Sequence, residues 1–216
     1  EARVGKQYKA EKSGTGQPGS KLNMPVDLPG WALNNLSIGA FNSWYYRREG
    51  SKHEPFLSGY APYFYPLDAI GQWNRLYGKR GFVQYQCVIP EATAYDGIAS
   101  LLQELTRSRR PSFLAVLKRF GAQGRGMLSF PTAGYTLALD LPIRDTGLFT
   151  LLNQLDQIVL QHGGRVYLAK DARLSPENFR SMYPRYAEWL KVKAAIDPDN
   201  RFSSSLSRRL NIGRAA

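Results

Sequence analysis

The chain has 216 residues, 43% of them hydrophobic and 12% aromatic, with 29 basic and 17 acidic side chains and a net charge of +12. That length fits one large domain or two small ones, and the apolar content excludes a disordered chain. The positive balance points to an anionic partner (nucleic acid, a phosphorylated ligand or an acidic membrane surface), although much of it lies at the two ends, where charge is ordinarily a solvated face.

Residues 1–30 are rich in Lys, Gly, Ser and Pro and have no sustained period, which predicts a flexible opening segment. Trp31–Arg48 is predicted as a helix, with Leu33, Leu36, Ala40, Phe41 and Tyr45 near helical spacing, and the aromatics Phe41, Trp44, Tyr45 and Tyr46 read as core in preference to pocket lining. A polar loop follows, then the aromatic run Tyr60–Pro66. Pro66 is placed to open a helix through Tyr77, with Gly78 ending it. From Gly81 the pattern is regular. A strand at 82–89 precedes a helix at 95–106, with Ile98, Leu101, Leu102 and Leu105 on one face. A strand at 113–120 and a Gly-rich connection lead to a strand at 134–141. Asp145 caps a helix at 146–162, striped by Leu148, Leu151, Leu152, Leu155, Ile158 and Val159, and Gly163 and Gly164 stop it. Arg165–Leu168 is a short strand.

The order β-α-β-β-α-β is the split βαβ, ferredoxin-like plan of the α+β class, an antiparallel sheet with both helices on one face. Residues 31–168 form this domain in the sequence reading, and 169–216 are a C-terminal return segment expected to pack on a part of the protein outside this chain. Ser175-Pro176-Glu177 starts a helix, Pro184 breaks it, Tyr186–Ala195 is another, and Asp197–Asn200 is a turn. From Arg201 onward the chain reads as basic and weakly structured.

The other face of the sheet is free to meet a ligand. In 134–141, Tyr135, Leu137, Leu139 and Leu141 alternate with Thr136, Ala138 and Asp140, a small polar stripe that suits either a bound ligand or plain solvent. Gln84 and Gln86 share one face of their strand, and their amides suit either hydroxyls or water. Lys118 follows Val116 at period two, an unusual lysine unless it meets an anion or bulk water. Together these residues form a candidate sugar or polyol site. Lys170, followed by Asp171, reads from the residues alone as a salt bridge to that or another carboxylate.

Cys87 is the only cysteine, so no intrachain disulfide forms, and with His53 and His162 it makes no zinc-binding spacing, so no metal site is expected. No run of about 18 apolar residues exists for a transmembrane helix. The start at Glu1, without an initiator methionine or a visible signal peptide, reads as the interior of a longer protein, soluble or peripherally membrane-associated.

Seven phrases carry a family resemblance: Tyr65-Pro-Leu-Asp68, Trp73-Asn-Arg-Leu-Tyr-Gly78, Gly81-Phe-Val-Gln-Tyr-Gln86, Ser112-Phe-Leu-Ala-Val-Leu-Lys118-Arg-Phe-Gly121, Leu128-Ser-Phe-Pro131, Tyr167-Leu-Ala-Lys170-Asp171 and Met182-Tyr-Pro-Arg185. From about Leu22 onward the chain resembles the C-terminal half of FAD-linked oxidases of the vanillyl-alcohol-oxidase type. The resemblance implies the substrate-binding half of an FAD-dependent oxidoreductase, inactive by itself, with FAD bound mainly by a separate N-terminal half. The reaction it implies is oxidation of a secondary alcohol on a sugar-type, lipid-phosphoryl pentose substrate by hydride transfer to flavin, in cell wall or polysaccharide biosynthesis. A companion NAD-dependent reductase and peripheral membrane association go with that reading. By motif match, Lys170 is catalytic, Tyr167, Lys170 and Gln84 meet the cofactor, and Tyr65, Gln84, Gln86, Lys118, Thr136, Ala138 and Asp140 meet the substrate. Thr136 and Ala138 stand where family members carry asparagine and cysteine. That leaves the reaction type intact but opens the substrate's identity.

Two alternatives stand beside it: a basic ferredoxin-like RNA-binding sheet, and a non-catalytic binding module. An RNA platform places aromatics on its open central strands, whereas the polar residues here include an aspartate that repels phosphate, so no nucleic acid is expected.

Overall fold

The computed structural model describes residues 22–29, 34–50, 70–110, 112 and 114–213. Two short strands, β1 (Leu22–Asn23) and β2 (Ile70–Gly71), pair in parallel, and helix α1 (Asn35–Gly50) lies between them in sequence. The main sheet comprises β3 (Phe82–Pro90), β4 (Ala115–Phe120), β5 (Gly134–Pro142) and β6 (Arg165–Val166), with helices α2 (Ala94–Arg107) and α3 (Gly147–Gln161) in the two crossovers. Strand order is β4-β5-β3-β6, every pair antiparallel. This is the ferredoxin-like order that the alternation of elements predicts.

Register sorts the two faces. Val83, Tyr85 and Cys87 lie opposite Leu141, Leu139 and Leu137 and are buried with Leu101 and Leu105 of α2 and Leu148, Leu152, Leu155 and Val159 of α3. Both helices therefore cover one face. Each fully buried leucine contributes about 1.5–3 kcal/mol. Leu102 departs from its expected place on the buried stripe and is 45% exposed. The N-cap of α3 is Thr146 rather than Asp145; Asp145, one residue earlier, accepts the Gly147 N–H on Oδ1 at 2.8 Å while Arg110 donates to the same oxygen at 2.6 Å.

Several expectations are corrected. The aromatics of α1 are not core: Trp44 is 55% and Tyr46 78% exposed, and within this helix Ile38 is the one described buried hydrophobic. Leu36, Phe41, Tyr45 and Tyr46 spread around more than half the helix, so no single face can bury them together. Residues 66–69 lie outside the described residues, and the stretch after them is no α-helix. Pairing with β1 extends Ile70–Gly71, and after Gln72 in the left-handed region (φ 54°) only a 3-10 turn, Trp73–Tyr77, fits before Gly78. The second sheet strand is described from Ala115, Phe113 being outside the described set. The last strand pairs over two residues only, and Leu168–Lys170 turns as a 3-10 helix, so Lys170 sits on a turn rather than at a strand end.

Beyond Lys170, helices α4 (Pro176–Met182), α5 (Tyr186–Ile196) and α6 (Ser205–Arg209) follow. Leu174, Phe179, Met182, Tyr183, Tyr186, Leu210 and Ile212 join the same hydrophobic core. The end of the chain is thus more ordered than its basic composition implies. Ser204 and Ser207 form a reciprocal capping box, which starts α6 and delivers Leu210 to the interior. Arg173 docks the segment electrostatically, donating to Asp156 Oδ2 at 2.5 Å and to the Leu152 carbonyl at 2.8 Å.

Candidate active site

The face opposite the helices carries Phe82, Gln84, Gln86 and Val88 from β3, Thr136, Ala138 and Asp140 from β5, Val116 and Lys118 from β4, and Arg165 from β6, by the period-two alternation and the observed register; it is not free throughout, as the sequence reading has it, because Val88, Thr136 and Asp140 are buried. Two hydrogen-bonded clusters form on it. In the first, Lys170 Nζ donates to Gln84 Oε1 at 2.8 Å, Gln84 Nε2 donates to Asp140 Oδ1 at 3.0 Å, and Tyr77 OH donates to Asp140 Oδ2 at 3.4 Å. In the second, Gln86 Nε2 donates to Thr136 Oγ1 at 3.1 Å, reaching diagonally past Ala138, which lies directly opposite.

Aromatic rings flank this polar strip. On one side Tyr77 stacks on Phe82 at 4.2 Å between centroids, and Trp73 tilts against Phe82 at 5.4 Å. On the other, Tyr167 stacks on Phe130 at 4.5 Å, and Phe120 meets Phe130 edge-on at 5.8 Å. Tyr167 is fixed beside Gln86 by its backbone N–H, which donates to the Gln86 carbonyl at 2.8 Å. A concavity of about 620 Å³ adjoins the strip at Tyr77, past the end of β5, with Lys79, Arg80 and Arg144 among its lining residues.

The structure therefore brings Gln84, Gln86, Thr136, Ala138, Asp140, Tyr167 and Lys170 to one face. Lys118 is exposed on edge strand β4, opposite Thr136 in register and outside both bonded clusters. Tyr65 lies outside the described residues. The salt bridge from Lys170 to Asp171 is not formed. Asp171 instead accepts from Arg209 at 2.6 Å and from the backbone N–H groups of Arg173 and Leu174 at 2.8 and 2.7 Å.

Sequence reasoning missed Tyr77 and Ser112. Tyr77 stands 63 residues from Asp140, and nothing local marks the pairing. Ser112 Oγ accepts the Asp140 backbone N–H at 3.1 Å from just before the edge strand, 28 residues away in sequence. Burial raises the Asp140 carboxyl above the usual range, opposed by the hydrogen bonds from Gln84 and Tyr77 and by the Lys170 charge. Burial, then the Asp140 charge and hydrogen bond, push the Tyr77 phenol well above its ordinary value, so Tyr77 is a permanent donor.

Residues 143–210 match the D-arabinono-1,4-lactone oxidase family. Over 191 residues, 88% of this chain and 41% of the relative, the sequence is 38% identical to decaprenylphosphoryl-β-D-ribose oxidase of Mycolicibacterium smegmatis. It is 35% identical over 195 residues, 90% of this chain and 51% of the relative, to a protein of Streptomyces coelicolor described as an uncharacterized protein in the mprA 5′ region. The chain spans about half the length of these curated relatives. It is thus related over most of its length to decaprenylphosphoryl-β-D-ribose oxidase, and over residues 143–210 to the D-arabinono-1,4-lactone oxidase family.

Proposed function

We propose that this chain is the substrate-binding part of an FAD-dependent oxidoreductase that oxidises a secondary alcohol of a polyprenylphosphoryl sugar, in cell wall polysaccharide biosynthesis. The observation that carries the reading is the Lys170–Gln84–Asp140 chain on the sheet face opposite the helices, between two aromatic groups. The donor set fits a flavin ring. Lys170 and the amide of Gln84 offer polar contacts to the edge of a flat heterocycle, Tyr167 offers a ring face, and small Ala138 leaves space above β5. These residues would hold the ring, with the nucleotide end bound mainly by the flavin half. Bound flavin supplies the oxidising power of the reaction.

The chain's own residues do the rest. Gln86, half-buried and held in place by Thr136 Oγ1, hydrogen-bonds sugar hydroxyls, and Lys118, exposed at the rim, takes the phosphoryl charge. Lys170, an exposed ammonium that donates to Gln84, holds the developing alkoxide by its charge while the hydroxyl proton passes to water. Motif match adds Tyr65 to the substrate contacts. Ala138 provides no nucleophilic thiol. The ketone product suits a companion NAD-dependent reductase acting next. The lipid part of such a substrate places the reaction at a membrane surface. No helix among the described residues is long and apolar enough to cross a membrane. The centre of this sheet face, polar rather than aromatic and partly buried, supports this reading over RNA binding.

The test is rapid-mixing measurement of flavin bleaching in the full flavin-loaded protein, with FAD occupancy checked first. Lys170→Ala should slow substrate-dependent reduction by about 10²–10⁴-fold. Arg185→Ala should leave it unchanged, since Arg185 pairs with Glu188 at 2.9 Å away from the strip. Reduction of Lys170→Ala at the wild-type rate would refute the assignment.

A further inference from the structure

Motif matching puts Asp140 among the substrate contacts. The geometry points to a different role, in which the Asp140 carboxylate fixes the orientation of the Gln84 amide and through it the position of the Lys170 ammonium. Asp140 is then a positioning residue. It is only 3% exposed, and both carboxylate oxygens are engaged, by Gln84 and by Tyr77.

The polarity of the chain follows from donor and acceptor chemistry. An ionised carboxylate only accepts, so the NH2 group of Gln84 must face it. That turns Gln84 Oε1 toward Lys170. A lysine ammonium only donates, and Lys170 donates to that oxygen at 2.8 Å. Reversing the amide would set oxygen against carboxylate and NH2 against ammonium, two repulsive contacts in place of two hydrogen bonds. Only one arrangement of the three groups is self-consistent. Its anchored end is rigid: the Asp140 backbone N–H is held by Ser112 Oγ and by the Leu114 carbonyl, both at 3.1 Å. Its free end is Lys170, exposed on the Leu168–Lys170 turn. Left to itself, a long lysine on an exposed turn samples many rotamers; the Gln84 oxygen selects one.

The positioning itself does not depend on the oxidase reading; its consequence for catalysis rests on it. The direct test is NMR of the lysine ammonium groups in this chain labelled with 15N, since an ammonium is observed where hydrogen bonding slows its exchange with water. Lys170 should give such a signal in the wild type. Asp140→Asn should keep it, because the asparagine carbonyl still accepts from Gln84. Asp140→Leu should lose it, and Gln84→Met, which removes the acceptor itself, should lose it too. Backbone signal dispersion shows whether each variant is folded. Should Asp140→Leu not fold, the signal must be present in Asp140→Asn and absent in Gln84→Met. Any other pattern, or no Lys170 signal in the wild type, overturns the proposal. In the flavin-loaded protein, folded Asp140→Leu should lose about 10²-fold in kcat, with KM changed much less, because a misplaced catalytic group costs that order. If the NMR pattern holds but no alcohol reduces the wild-type flavin, the oxidase reading fails and the positioning stands.

Discussion

Asp140 is costly to bury, and the donors around it relieve only part of the cost. Its carboxyl binds a proton more tightly in the folded protein than in the unfolded chain. Stability from this group is therefore complete below the ordinary carboxyl value and is lost as pH rises through the raised one. Asp140→Asn removes the titration. In urea unfolding followed at several pH values, the wild type should gain on Asp140→Asn as pH falls from neutral toward the acid range. A difference that moves in the opposite direction would mean that the hydrogen bonds and Lys170 outweigh burial. Asp156 meets burial differently: it is fully enclosed but takes hydrogen bonds from Arg173 and, at 3.1 Å, from Tyr85. Cys87, also enclosed, has its thiol pushed up to about 12 by burial and is no nucleophile at neutral pH.

At the scale of elements, local chemistry decided the starts and stops well. The period-two runs of β3 and β5 and the stripe of α3 are legible because each has one face in the core. Gly134 closes the β3–β5 ladder where a Cβ would fall 2.1 Å from the Ile89 carbonyl oxygen, so no larger residue fits there. Ser175 caps α4, accepting the Asn178 N–H at 3.1 Å, with Pro176 in the first turn. Ser175→Ala should cost about 1 kcal/mol in chemical denaturation, and Ser175→Asp should restore most of it. Elements whose form depends on a distant partner were not legible. Trp73–Tyr77 is short because β1 extends the residues before it. Lys170 lies on a turn because β6 pairs with β3 over only two residues.

For the whole molecule, we propose that the four-stranded sheet with its two helices and the return segment that follows Lys170 fold as one unit. Seven hydrophobics after residue 170 lie in the core shared with α3 and β6. Arg173, from the same segment, is the cationic partner of buried Asp156. Ending the chain at Lys170 should therefore leave an exposed apolar face and an uncompensated buried charge. The expected result is loss of cooperative unfolding with increased binding of a hydrophobic dye. A truncated chain that melts sharply would show the two parts to be independent.

Alternating apolarity, caps and glycine stops were enough to specify the antiparallel α+β sheet, its two covering helices and the polar stripe of Gln84, Gln86, Thr136 and Asp140. These depend on neighbours within a few residues, and burial of one face enforces them. Motif resemblance added the importance of Lys170 but not its partner. That partner is Gln84 rather than adjacent Asp171, because the fold commits Asp171 to Arg209 and to the turn leading into α4. The recruitment of Tyr77 to Asp140, the exposure of the aromatics on α1 and the burial of Leu210 were likewise settled by packing. Each depends on which surfaces meet across tens of residues, a property that local periodicity does not encode.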